Sequence, residues 1–88
     1  MFEKTFLIIP AFNEAKTIQK VVEGALQTVS NIIVIDDGST DETVSILKKF
    51  PVEIIQQPQN RGKSFCLWTG FEFALSLGAT EIVTMDAD

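Results

Sequence analysis

Two uninterrupted apolar runs, Phe6-Leu7-Ile8-Ile9 and Ile32-Ile33-Val34-Ile35, constrain what this chain can fold into more than any other feature. Both are made of residues that favour extended backbone, and neither alternates with polar side chains. A strand with no polar face has to be covered on both sides, which is the situation of an inner strand in a parallel sheet flanked by helices. Pro10 is expected to stop the first run, and Asp36-Asp37-Gly38 the second. Val52-Glu53-Ile54-Ile55 and Ile82-Val83-Thr84-Met85 read as a third and a fourth strand, the third alternating enough to suit an edge.

Helical spacing fills the gaps between these runs. Ile18, Val21, Val22, Ala25, Leu26 and Val29 recur on one side of a helical wheel, with Lys16, Gln19, Lys20, Glu23 and Gln27 elsewhere on it. Ser39 and Glu42 have the separation of a capping box ahead of a short helix carrying Val44, Ile46 and Leu47, and Lys48 and Lys49 close it favourably for its dipole. A third helix is expected from about Lys63 to Leu77, ending at Gly78. Its small residues Cys66, Gly70 and Ala74 lie four apart, a stripe that lets the helix axis approach a sheet closely. The aromatic residues Phe65, Trp68, Phe71 and Phe73 read as core and helix-flank packing.

Strands alternating with helices give βαβαβαβ, and right-handed crossovers make the strands parallel. The class is therefore α/β, with a four-stranded parallel sheet expected in the order 3-2-1-4. Ligands of such sheets bind outside the carboxyl ends of the strands at the point where the strand order reverses, here between the first and fourth strands. Pro10 to Glu14 and Asp86 to Asp88 would flank that crevice.

Composition narrows the function classes. An 88-residue chain that is 45% apolar builds one small core, so residues 1–88 are expected to form a single domain or part of one. Part of one is the favoured expectation, because the sequence stops on a charged pair directly after what reads as a buried strand. A net charge of −5 with seven dispersed basic residues argues against a nucleic-acid backbone as partner. A lone cysteine, Cys66, and the absence of a signal-peptide pattern point to a reducing cytoplasmic setting. No stretch approaches the roughly 18 apolar residues of a membrane span.

The polar residues at the strand ends carry the chemistry. Asp36, Asp37, Asp41, Asp86 and Asp88 are expected near one edge of the sheet, where they repel one another unless a cation sits among them. Hard oxygen ligands suit Mg²⁺ or Mn²⁺, with Asp86 and Asp88 able to divide metal ligation and a ribose hydrogen bond between them. The competing reading is that Asp36, Asp37 and Asp41 only shape a turn and cap the second helix. An ordinary helix cap would explain Asn13 but leave Glu14 unexplained, and the unpaired N–H groups of a helix start could instead hold polar groups of a nucleotide. Asn60-Arg61-Gly62-Lys63 faces either a phosphate or base, or solvent. Gly62-Lys63-Ser64 is not the end of a P-loop, since the glycine required five residues earlier is Gln57. The chain contains no histidine, which excludes histidine-based triads and metal sites within it.

Taken in order, Ile9-Pro10-Ala11-Phe12-Asn13-Glu14, Val34-Ile35-Asp36-Asp37-Gly38-Ser39-Thr40-Asp41, Asn60-Arg61-Gly62-Lys63 and Asp86-Ala87-Asp88 resemble the N-terminal half of glycosyltransferase family 2. The resemblance covers almost the whole chain. It implies a Rossmann-like GT-A fold that binds a UDP- or GDP-linked sugar and transfers the sugar with inversion. By the same resemblance Pro10, Ala11, Phe12, Asn13 and Glu14 would line the nucleotide, an Asp of the Asp36-Asp37 pair would accept a hydrogen bond from the base, and Lys63 would belong to the donor site. Asp86 and Ala87 would lie along the ribose and diphosphate, and Asp88 would ligate Mg²⁺ or Mn²⁺ together with Asp86. The stretch from Asn60 through Gly70 and Ala74 is most similar to enzymes that glycosylate polyprenyl phosphates. The family's general base is expected beyond residue 88, so these residues alone should not catalyse transfer.

Other readings remain open on the sequence. One is a nucleotide-binding or scaffold fragment without catalysis. Another is a nucleotidyltransferase or an Asp-nucleophile phosphatase, neither of which needs the Asp36-Asp37-Gly38-Ser39 loop. The fourth strand is expected to leave an apolar edge beside Trp68, and so to favour self-association.

Overall fold

The computed structural model describes residues 4–88; the first three residues of the expected 1–88 unit lie outside the described residues. Seven elements follow one another: β1 (Thr5–Ala11), α1 (Ile18–Ala25), β2 (Asn31–Asp36), α2 (Thr43–Leu47), β3 (Glu53–Gln56), α3 (Lys63–Ser76) and β4 (Glu81–Thr84). The strands form one sheet in the order β3-β2-β1-β4, and every pairing is parallel. This is the expected α/β arrangement and strand order.

The two apolar runs are the inner strands, and their side chains divide by parity between two cores. Leu7, Ile9 and Ala11 of β1 join Ile32 and Val34 of β2 beneath Ile18, Val22 and Ala25 of α1 and Leu47 of α2. Phe6 and Ile8, with Ile33 and Ile35, meet Cys66 and Ala74 of α3 on the other face. Fully burying a side chain of this size stabilises by about 1.5–3 kcal/mol, so these two strands supply much of what holds the sheet.

Pro10 does not stop β1, which continues through it to Ala11, with Pro10 opposite Ile35. The Ile8 carbonyl accepts from the Met85 N–H on the β4 side, and the Ala11 carbonyl accepts from the Asp37 N–H on the β2 side. Alternation aims the Pro10 nitrogen at the β4 side, where the next rung after the Met85–Ile8 bond would need its N–H, so the β1–β4 ladder ends there while the β2 pairing runs on.

Several helix starts differ from expectation. α1 is a short helix followed by a turn that keeps Leu26 and Val29 against the core. Thr17, not Asn13, precedes it, and no side chain caps it. The Ser39–Glu42 capping box does not form either. α2 begins at Thr43, whose N–H donates to Asp41 Oδ1 at 3.0 Å. The aromatic expectation also divides: Phe71 and Phe73 pack on the second core, whereas Phe65 and Trp68 are exposed.

The small stripe on α3 behaves as expected, with Cys66, Gly70 and Ala74 all buried. A Cβ on Gly70 would lie 2.6 Å from Ile8 Cγ2 and 3.1 Å from Ile8 Cδ1. Helix propensity favours Ala over Gly by about 1 kcal/mol, but overpacking a filled core costs about 1–3 kcal/mol. Ile8 is a stiff β-branched residue in a central strand, so Gly70→Ala should destabilise by about 1–2 kcal/mol net. Urea unfolding would report it as a lower midpoint at unchanged slope; a midpoint at or above wild type would mean that α3 can move off β1 freely.

Candidate functional site

A cleft of about 300 Å³ opens at the carboxyl edge of the sheet, where the strand order reverses. Pro10, Ala11, Phe12 and Glu14 line it from the end of β1, Asp37 from the end of β2, and Asn60, Gly62, Lys63 and Cys66 from the loop and first turn of α3. Asp86, Ala87 and Asp88 close it after β4. Nine of the eleven residues expected at the donor site thus come together. Asn13 and Asp36 do not line the cleft; they lie behind it and hold its walls.

Asn13 sits at φ 53°, a left-handed conformation that asparagine tolerates. From there its N–H donates to Ser39 Oγ at 2.8 Å, and its Oδ1 accepts from the N–H groups of Thr40 (2.8 Å) and Asp41 (3.3 Å). The β1–α1 loop is thereby fastened to the β2–α2 loop. Thr43, fully buried, continues the link. Its hydroxyl donates to Asp41 Oδ1 at 2.6 Å and accepts from the Glu14 N–H at 2.9 Å, while Asp41 Oδ2 accepts from the Ala15 N–H. The hydrogen bond from the Thr43 hydroxyl, more than any other cause, holds the Asp41 carboxyl below its ordinary range. Asp41 therefore shapes a turn and holds the start of α2, as its competing reading had it.

Asp37 performs the equivalent task for the third loop. Its Oδ1 accepts from the Arg61 N–H at 2.8 Å and its Oδ2 from the Gly62 N–H at 2.9 Å. Gly38 makes this approach possible: it sits at φ 83°, and a Cβ there would lie 2.9 Å from the Gln59 carbonyl carbon. Asp36 points to the opposite face, with Oδ2 accepting from the Ser39 N–H at 3.1 Å and Oδ1 buried without a protein partner.

The five aspartates stand at the expected edge of the sheet but do not converge on one point. Among the described residues no three Asp, Glu or Cys side chains converge as a metal cluster. Backbone N–H groups and hydroxyls engage Asp36, Asp37 and Asp41, which leaves Asp86 and Asp88 as the exposed carboxylates of the cleft. Lys63 reaches across to Asp86, Nζ to Oδ1 at 2.6 Å, with both side chains more than half exposed. The Asp86 carboxylate beside it, with a further contribution from Asp88, holds the Lys63 ammonium above the ordinary lysine range. Arg61 instead turns over the Phe65 ring, 4.4 Å from its centroid.

Sequence reasoning missed the scaffolding hydroxyls. Thr43 and Thr17 are polar residues at the starts of otherwise apolar helix faces, and that placement was the available signal. Thr17 Oγ1 donates to the Ala87 carbonyl at 2.7 Å, which ties the end of the chain to α1.

Cys66 lines the cleft floor with its side chain buried. Burial, aided by the charge of Asp37, pushes its thiol up to about 11 from an ordinary value of 9.0. The folded chain keeps this proton to higher pH than the unfolded chain, so the thiol's contribution to stability is complete below about pH 9 and is lost as pH rises toward 11. Iodoacetamide at pH 8 should accordingly label Cys66 slowly in the native protein and rapidly in urea. Equal rates would show a reactive thiol in the cleft.

The model of glycosyl transferase family 2 matches residues 6–88. The chain is 38% identical, over 94% of its length, to the UDP-N-acetylglucosamine–dolichyl-phosphate N-acetylglucosaminyltransferase of Methanococcus voltae, and spans 40% of that protein. It is 32% identical, over 97% of its length, to the dolichol-phosphate mannosyltransferase of Pyrococcus furiosus, and spans 26% of it. The glucosyl-3-phosphoglycerate synthase of Mycobacterium tuberculosis, crystallised with Mn²⁺, uridine diphosphate and phosphoglyceric acid, superposes with a TM-score of 0.81 at 25% identity, over 98% of this chain and 33% of that one. The chain thus spans two fifths or less of the length of these relatives.

Proposed function

The chain belongs to glycosyl transferase family 2, and on that premise we propose that residues 1–88 are the single donor-binding unit of an inverting enzyme that takes its sugar from a UDP- or GDP-linked donor. One observation carries this reading: Asp86 and Asp88 face the Pro10–Glu14 end of β1 across one cleft, at the switch point of the sheet. The acceptor proposed is a polyprenyl phosphate, supported by the named activities of the Methanococcus and Pyrococcus relatives. No general base is assigned to these residues, so donor binding and not transfer is the activity ascribed to them.

In this reading the end of β1, from Pro10 to Glu14, forms one wall for the nucleoside. Asp37 keeps acceptor capacity on Oδ2 for a base N–H, because the Gly62 N–H takes one of its lone pairs. Lys63 supplies a cation for the diphosphate. Asp88 and Asp86 offer hard carboxylate oxygens with open space beside them, which fits Mg²⁺ or Mn²⁺ completed by water and substrate phosphate. Such an ion, when bound, neutralises the departing diphosphate.

The free buried thiol of Cys66 agrees with a reducing, cytoplasmic setting. Among the described residues no helix is long and apolar enough to cross a membrane.

A thermal-shift titration with UDP, GDP, ADP and orthophosphate, each with and without Mn²⁺, tests the donor reading. At about a hundred times its dissociation constant a ligand of the folded state adds roughly 2.7 kcal/mol. The expected result is a Mn²⁺-dependent shift with UDP or GDP that Asp88→Ala abolishes while the variant remains folded. A response to orthophosphate alone would point to a phosphatase, and an unchanged shift in Asp88→Ala would overturn the metal assignment.

We also propose that the chain self-associates. β4 is a sheet edge on which Val83 and Met85 are exposed, and Trp68 of α3 is 60% exposed. Light scattering should give a mass above that of one chain at high concentration. A strictly monomeric mass would reject the idea.

A further inference from the structure

We propose that Thr17 is a positioning residue for the metal-binding half of the cleft, setting through the Ala87 carbonyl the turn that separates Asp86 from Asp88. The inference rests on the donor-site reading above. Thr17 occupies the residue before α1, where a hydroxyl ordinarily accepts a hydrogen bond from its own helix. It makes no such bond. Its Oγ1 donates instead to the Ala87 carbonyl, 70 residues away in sequence, at 2.7 Å.

The receiving segment needs that bond. β4 ends at Thr84, and the last ladder contact is the Met85 N–H on the Ile8 carbonyl. Beyond it the backbone has left the sheet, yet Ala87 is 3% exposed, with its methyl in the core formed by Ile18 and Val22. Ala87 is thus held twice, by its methyl and by its carbonyl. Asp86 and Asp88, on either side of it, are exposed to the cleft. Two carboxylates share one small cation more tightly when the residue between them is fixed, because less freedom is lost on binding. A buried methyl can turn about its own axis, whereas the hydrogen bond fixes the peptide plane that leads directly into Asp88.

The test is UDP titration calorimetry of Thr17→Val, Thr17→Ala and Thr17→Ser, each with and without Mn²⁺, with hydrogen exchange of residues 85–88 measured in the free proteins. Valine keeps the shape and removes the donor, and alanine serves should valine fail to fold. Both should weaken Mn²⁺-dependent UDP binding about tenfold, the scale of one lost hydrogen bond, and speed exchange at 85–88. UDP affinity without Mn²⁺ should stay unchanged, and serine should restore both properties. Wild-type Mn²⁺ dependence in the valine and alanine variants overturns this inference alone, as does an equal loss with and without Mn²⁺. A wild-type protein that shows no Mn²⁺ response overturns the donor-site reading and this inference with it; faster exchange in the variants would then report only a structural bond.

Discussion

The two-sided burial of β1 and β2 governs everything else in this structure. Strands that bury both faces need a helical layer on each side, and helices reach both sides only by crossovers that return every strand in the same direction. All the loops that leave the strands therefore collect at one edge. The polar residues at the ends of β1, β2, β3 and β4 are neighbours for this reason, although up to 78 residues separate Pro10 from Asp88 in sequence. Ile8 and Ile33 fix the α3 side and Leu7 and Val34 the α1 side, so the edge inherits the rigidity of a doubly packed core.

At that edge the side chains best suited to capping helices are used to fasten loops together. Asn13, Ser39 and Thr17 are all residue types that commonly cap a helix. Each instead bonds across to a different loop, and α1 and α2 start without the side-chain caps expected of them. The exchange makes physical sense. A cap steadies one helix end, whereas the same bond made between loops fixes the position of two cleft walls at once. Asp37 is the clearest instance: one buried carboxylate accepts two successive N–H groups and so sets where α3 begins relative to β2.

The same network sorts the acidic residues by task. A carboxylate surrounded by N–H donors keeps its charge but has it stabilised where it stands, and so can be buried. Asp37 is such a case, and Asp41 accepts from Thr43 and Ala15 in the same manner. Asp86 and Asp88 have no comparable ring of donors and face open space, with Lys63 as the nearby counter-charge. The cleft carboxylates exposed to a ligand at this edge are consequently fewer than the sequence suggests, and they stand together at one end of the cleft.

The sequence by itself determined the elements and the parallel sheet, since these follow from unbroken apolar runs, helical spacing and the handedness of crossovers. The order was expected only by likeness to doubly wound sheets, and the structure has it. The sequence also marked the loops that meet at the cleft, because Asp, Asn and Glu cluster at the strand ends. Only the tertiary structure decided which of those residues face the cleft and which hold it up. Asp36 and Asp41 are the same residue type as Asp86 and Asp88, and differ in which N–H groups come within reach once the loops are side by side. Pro10 shows the same limit, because a missing N–H ends the pairing only on the side it faces, and that side is decided when the sheet assembles. Thr17 shows it most plainly: its partner is 70 residues away, and no local pattern announces a hydrogen bond whose two ends meet only after the sheet has closed between them.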